Sequence, residues 1–302
     1  MERKTSNKPN IAVLMSTYNG EQFLKEQLDS IFSQRAVNVS LFIRDDGSTD
    51  RTIDIIKKYE HKGSRVYLEQ GQNIGPVNSF LSLIYRNRGY EYYALADQDD
   101  LWESDKLISA INILKKHSDT PALYYSALTL VDSKENYLRT VVPSKVSKTT
   151  SLLNFQATGC TVVYNDALLK IVMKYKPKNV YMHDAWLTVI ASYFGICLLD
   201  EISHIKYRQH ENNVVGMKRQ NILSRAIKFF TTKKNWHYNT ALDFYKGYKN
   251  YLDEEDLDRI ERILQYKKNI LNKIRLINSQ EVRGLPRKER DSVIRLTLIN
   301  NL

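Results

Sequence analysis

The sequence predicts an α/β protein, Rossmann-like in its alternation, with a mostly parallel sheet, helices on both faces and a C-terminal helical extension. Three observations lead there. Short β-rich apolar runs alternate with segments of helical periodicity over the first half of the chain. Those runs end in polar, acidic loops, as buried parallel strands do. From Asn221 to Leu276 the apolar spacing is helical throughout.

Ile11 to Ser16 (IAVLMS) is the first strand, closed by Thr17-Tyr18-Asn19-Gly20. From Glu21 to Gln34 the residues Phe23, Leu24, Leu28, Ile31 and Phe32 recur at helical spacing and complete a βα unit. Val39 to Ile43 is the second strand and runs into Arg44-Asp45-Asp46-Gly47-Ser48-Thr49-Asp50; Ile53, Ile55, Ile56 and Tyr59 then mark a helix that Thr49 or Asp50 would cap. Arg65 to Glu69 reads as a strand, Val77 to Arg86 as a helix, and Tyr92 to Ala96 as a strand leading into Asp97-Gln98-Asp99-Asp100. A helix over about Asp105 to Lys116 follows, with strands at Ala122 to Val131 and Cys160 to Tyr164 and a helix at Ala185 to Phe194, in less regular order. The helical tail is interrupted near Lys246 to Asp253. These elements divide into an α/β body, residues 1–216, and a basic helical subdomain, residues 217–302.

A chain of 302 residues with 42% hydrophobic and 26% charged residues has the composition of an ordinary globular protein, which excludes long disorder. Its net charge of +11 is uneven: beyond Met217 there are 19 Lys and Arg against 10 Asp and Glu, while the body is close to neutral. A basic tail of this kind calls for an anionic partner: a nucleic acid, a membrane leaflet or a phosphate-bearing substrate. Within it, Ile222, Leu223, Ile227, Phe229 and Phe230 lie among Arg225, Lys228, Lys233 and Lys234, a pattern open to packing on the body or to peripheral contact with an anionic leaflet. Two cysteines without CxxC spacing speak for a reducing, cytoplasmic setting. Neither a signal peptide nor an 18-residue apolar run occurs, so neither export nor a membrane span is expected.

In open α/β sheets ligands bind beyond the carboxyl ends of the strands, and there the acidic loops fall. Three carboxylates within Asp97-Gln98-Asp99-Asp100 repel one another unless a cation relieves them. A Mg²⁺ or Mn²⁺ ion held by one or two carboxylates and completed by substrate phosphates would do so, whereas an acidic turn capping a helix is the plainer account. Asp46, beside Gly47, could accept hydrogen bonds from a base or ribose.

The ordered series MSTYNG, EQFLKEQLDSIFSQ, RDDGSTD, NIGPVNSF and ADQDDLWESDKL resembles the family 2 glycosyltransferases of the GT-A fold, and among them bacterial rhamnosyltransferases. The resemblance covers about residues 10 to 216. It implies that Ser16, Thr17, Tyr18 and Asp46 contact the donor's base and ribose, that Asp97 lies near the nucleotide, and that Asp99 holds the metal. Trp102 and Lys106-Leu107 resemble the segment packed behind that loop. Tyr181-Met182-His183-Asp184-Ala185-Trp186 resembles the family's later acidic motif, whose Asp is the general base, so Asp184 takes that role; many relatives carry Glu where this chain has His183. An isolated Asp opening a helix is otherwise an N-cap. Gly159, in Thr158-Gly159-Cys160, would sit near the donor sugar, or close a simple turn. In Tyr207-Arg208-Gln209-His210 the resemblance implies that His210 ligates the metal and Arg208 pairs with the diphosphate.

The expected activity is an inverting, metal-dependent transfer of a sugar, foremost rhamnose from dTDP-rhamnose, to a glycan or lipid-linked acceptor of a cell-surface polysaccharide. A UDP-hexose donor is the alternative. A nucleotidyltransferase would place a Gly-rich basic loop after the first strand, where this chain has STYNGEQF. A nucleic-acid-binding protein would use the basic tail, which carries no recognised binding motif, and would leave the acidic loops unexplained.

Overall fold

The computed structural model describes residues 8–61, 63–210 and 235–302. Strands β1 (Asn10–Thr17), β2 (Asn38–Asp45), β3 (Val66–Gln70) and β4 (Tyr92–Ala96) alternate with helices α1 (Leu24–Phe32), α2 (Thr52–His61) and α3 (Gly75–Arg86). Then come β5 (Leu101–Trp102), α4 (Lys106–Leu114), β6 (Ala122–Val131), β7 (Tyr137–Val141), β8 (Val163–Asn165), α5 (Asp166–Val172), α6 (His183–Phe194) and β9 (Ile196–Arg208). They form one sheet in the order β3-β2-β1-β4-β8-β6-β9-β5, with β7 paired to β6. The β3-β2-β1-β4 half is parallel, as is β6 with β9; β8, β7 and β5 are antiparallel to their neighbours.

Alternation along the buried strands decides which helices cover which face. Ala12, Leu14, Tyr93, Leu95, Leu123 and Tyr125 face one core with α3, α5 and α6. Ile11, Val13, Met15, Ala94 and Ala96 face the other, against Leu24, Leu28 and Ile31 of α1 and Leu107 and Ile111 of α4. Trp102 is buried in this second core under the Lys106 ammonium, in keeping with a packing role.

The second half differs from the sequence expectation in four places. Gly159–Thr161 is a 3-10 turn, so the strand expected at Cys160 to Tyr164 shortens to β8. The segments β7, α5 and β9 had no place in that reading; β9, at 13 residues, hides because its apolar positions are broken by exposed Glu201 and Ile202 where its pairing with β6 shifts register.

The C-terminal helices are α7 (Trp236–Tyr248), α8 (Glu254–Gln265), α9 (Ile270–Ile277), α10 (Gln280–Arg283) and α11 (Arg287–Leu298). The predicted interruption falls between α7 and α8, where Asp253 caps α8 by accepting the Asp256 N–H at 2.8 Å. The basic apolar segment at Ile222 to Lys234 lies outside the described residues. Phe244, Tyr248, Ile260, Ile263 and Leu276 join the same core as Trp186 of α6. One contact matters for the site: Asp243 of α7 accepts the backbone N–H groups of Lys178 and Asn179 at 2.6 and 2.7 Å, and Thr240 accepts that of Tyr181 at 3.3 Å. Helix α7 thereby anchors the loop that leads into Asp184. Among the described residues no helix is long and apolar enough to cross a membrane.

Gly195 joins α6 to β9 with no room for a side chain: a Cβ there would lie 1.8 Å from the Pro121 carbonyl oxygen, which already accepts the Ile196 N–H at 2.9 Å. Gly195→Ala is expected to destabilise the fold by about 2–3 kcal/mol, since backbone rather than a pliable side chain must give way. A denaturant melt with an unchanged midpoint would contradict this.

Candidate active site

The carboxyl ends of β1, β2 and β4 open on one cavity of about 1010 Å³, walled on its far side by the β6–β7 hairpin and the Gly159 turn. Parallel pairing puts Thr17 beside Asp45 and Met15 beside Ala96, which brings the three loops to one rim. Ser16, Tyr18, Asp46, Asp97 and Asp99 line the cavity from that rim. Gly159, Asp184 and His210 line the same cavity, His210 beside Asp99.

At the β2 end, Asp45 is structural: it accepts the Thr17 hydroxyl at 2.9 Å and the Ser48 N–H at 2.8 Å, while Gly47, at φ 85°, supplies the turn. Asp46 is almost wholly buried. Its carboxylate accepts the Ile74 N–H at 3.0 Å and the Gly75 N–H at 2.8 Å and pairs with the Arg44 guanidinium, tying the end of β2 to the start of α3. Ser16 donates to Ser79 Oγ at 2.7 Å, and the exposed ring of Tyr18 follows a backbone clasped by the Gln98 amide (2.9 and 3.1 Å).

Two predicted donor contacts do not reach the cavity. Thr17 is buried with its hydroxyl committed to Asp45. Arg208 is also buried; its guanidinium meets Glu26 Oε2 at 2.6 Å and the Asp99 carbonyl at 3.1 Å and lies over the Phe23 ring, while its N–H bonds Asp100 at 3.2 Å. It braces the acidic loop and does not line the cavity. The strand registers of β1 and β9 point these two side chains inward.

The acidic loop itself is charged and crowded. His210 Nε2 lies 2.7 Å from Asp99 Oδ2. Burial, then the charges of Asp99 and Asp184, hold the Asp97 carboxyl above the usual carboxylate range; burial, then Asp97 and Asp99, do the same to Asp100. Asp97, Asp100 and Cys160 can also bring one ligand atom each within 4.8 Å of one another. A buried thiol is a poor ligand for a hard cation, whereas Asp97 and Asp99 with an imidazole beside them suit one.

Asp184 opens α6, where its Oδ1 accepts the Ala185 N–H at 2.7 Å. Burial raises its carboxyl to about 6, with backbone N–H groups of Ala185 and Gly159 pulling the other way. Gly159 belongs directly above it: a Cβ there would stand 3.2 Å from Asp184 Oδ2. Residues that sequence reasoning passed over also shape the cavity. Asn73, Gly75 and Pro76 line it from NIGPVNSF, a run noted without a role whose Pro at the helix start and Gly at φ 79° are themselves a signal. Phe80 ends that same run and Tyr181 opens the Tyr181-to-Trp186 motif, both quoted without a role, whereas Phe155 left no signal.

Comparison with solved structures gives the class of fold. S. aureus TarS 1–349, solved with UDP-GlcNAc, superposes with a TM-score of 0.60 at 17% identity over 97% of this chain and 89% of that one. A mannosyltransferase from Pyrobaculum calidifontis, solved with GDP-Man and Mn²⁺, does so at 0.52 and 16% identity over 97% and 85%. The architecture is that of the GT-A glycosyltransferases, a mostly parallel α/β sheet with C-terminal helices.

Sequence then gives the family. The model for glycosyl transferase family 2 matches residues 12–164. A dTDP-rhamnosyl transferase, RfbG of Shigella flexneri, is 31% identical over 216 residues, 67% of this chain and 73% of that one. The chain belongs to glycosyl transferase family 2.

Proposed function

We infer that the chain transfers rhamnose from dTDP-rhamnose, with inversion and the help of a divalent cation, to a glycan or lipid-linked acceptor. The observation that carries this reading is that Asp46, Asp97, Asp99 and Asp184, far apart in sequence, line one cavity. Its volume lies at the upper end of small-molecule sites, which suits a nucleotide diphosphate sugar with the end of an acceptor. The name of the Shigella relative supports rhamnose; the UDP-GlcNAc and GDP-Man of the two solved structures support a second reading in which the donor is another nucleotide hexose, foremost a UDP-sugar.

In this reading Ser16, Tyr18 and Asp46 form the nucleotide end, Asp46 chiefly by holding the loop, and Asp97 lies beside the diphosphate. Asp99 and His210, with Asp97, would hold Mg²⁺ or Mn²⁺. Bound there, the cation would offset charge on the leaving diphosphate. Asp184, ionised above about pH 6, takes the acceptor proton as the hydroxyl attacks the anomeric carbon opposite the leaving group. Gly159, with no side chain, lets the backbone approach the sugar closely. Residues 1–216 would be the catalytic unit and 217–302 a helical unit that positions the Asp184 loop. The protein would work in the cytoplasm or against the inner face of the plasma membrane, where the basic tail could meet anionic lipid.

Calorimetric titration with dTDP, UDP and GDP, with and without Mn²⁺, tests nucleotide and cation together. Binding of dTDP tightened at least about tenfold by Mn²⁺ is expected. A preference for UDP would move the donor to the second reading, and no binding by folded protein to any of the three would overturn both.

A further inference from the structure

His183 is buried, yet it lines the cavity. Neither ring nitrogen has a hydrogen-bond partner among the described residues, which is unusual for a buried imidazole. The ring stacks on Phe80 with centroids 4.0 Å apart and planes 16° from parallel, so its plane is fixed by packing while its polar edge is not used. Burial alone holds it neutral, down to about 3, so that one nitrogen donates and the other accepts.

Where that edge points follows from Gly159. A Cβ on Gly159 would lie 3.2 Å from His183 Nε2 and 3.2 Å from Asp184 Oδ2, so the imidazole edge and the carboxylate converge on the face of Gly159 that carries no side chain. Phe80, on which the ring rests, directly follows Ser79, the partner of Ser16 at the nucleotide end. Ser16, Asp46, Phe80, Gly159, His183 and Asp184 line one cavity, so His183 borders the space that a ligand reaching from the nucleotide end to Asp184 would occupy. We propose that His183 recognises the sugar of the donor, its Nε2 meeting a sugar hydroxyl over Gly159, next to the carboxylate that deprotonates the acceptor.

This rests on the nucleotide-sugar reading above, and the test separates the two. Wild type, His183→Phe and His183→Asn are titrated with dTDP and dTDP-rhamnose, and with UDP and UDP-glucose, all with Mn²⁺ and without acceptor. His183→Phe keeps an aromatic ring against Phe80 and removes only the polar edge. In wild type the sugar is expected to tighten binding over the bare nucleotide. In His183→Phe about tenfold of that gain is lost while affinity for the bare nucleotide is kept. Equal affinity of wild type and His183→Phe for the nucleotide sugar would overturn the proposal and make His183 a packing residue. So would a wild type that gains nothing from the sugar. Should His183→Phe lose nucleotide binding altogether, His183→Asn decides: loss confined to the nucleotide sugar supports the assignment, and equal loss on both ligands overturns it. A wild type that binds no nucleotide at all fails the underlying reading instead.

Discussion

Asp184→Asn is expected to lower kcat by about 10³-fold while changing the affinity for nucleotide sugar less than about threefold. The substitution keeps the shape of the side chain and its bond to the Ala185 N–H but removes the carboxylate proposed to take the acceptor proton. The pH profile supplies an independent readout. Because burial raises the Asp184 carboxyl to about 6, kcat/KM of the wild type should be flat above that pH and fall as pH is lowered through it. The residual activity of the variant should lack this limb. The sign for stability is opposite to that of a paired carboxylate: a raised pKa means that the folded state holds the proton more tightly, so ionised Asp184 costs stability as pH rises through about 6. Asp184→Asn should therefore melt no lower than wild type at pH 8. Unchanged turnover would remove Asp184 from the role.

Asp99→Asn should have the second largest effect, a loss of about 10²-fold or more in Mn²⁺-supported turnover together with loss of the tightening of nucleotide binding by Mn²⁺. The neutral amide can still meet His210, which lies 2.7 Å from Asp99 Oδ2, so the fold of the loop should survive. What goes is one of the charges that raise Asp97, and with it the attraction for a cation. Titration of Mn²⁺ followed by its electron paramagnetic resonance signal reads this directly. Full Mn²⁺ affinity in the variant would shift the ligand role to Asp97 with Asp100.

The parallel half of the fold was legible because β1, β2 and β4 are short, almost wholly buried runs, and each loop that follows breaks the apolar pattern sharply. That same break marked Tyr18, Asp46, Asp97 and Asp99, whereas Ser16, inside the strand, was suggested by the likeness to a family. It did not tell which way a side chain points: Thr17 and Arg208 sit in equally suggestive positions and face away from the cavity, a matter of strand register that depends on the neighbouring strand. Strand β9 was lost because a 13-residue strand that changes register carries no steady period of two. The nearness of Gly159 to Asp184 and His183, across more than twenty residues of chain, is a tertiary fact, and only likeness to a family suggested it.

The latch at Asp46 has an evolutionary consequence. In the proposed reading, a carboxylate that holds Arg44 and the backbone of Ile74 and Gly75 could not shift to suit a different nucleobase without loosening the junction of β2 and α3, so the position would be pleiotropic. Donor repertoire in descendants of this sequence would then diversify at Asn73, Pro76 and Tyr18, which touch the same cavity without carrying the latch, and any exchange at Asp46 would have to be preceded by a compensating change at Arg44.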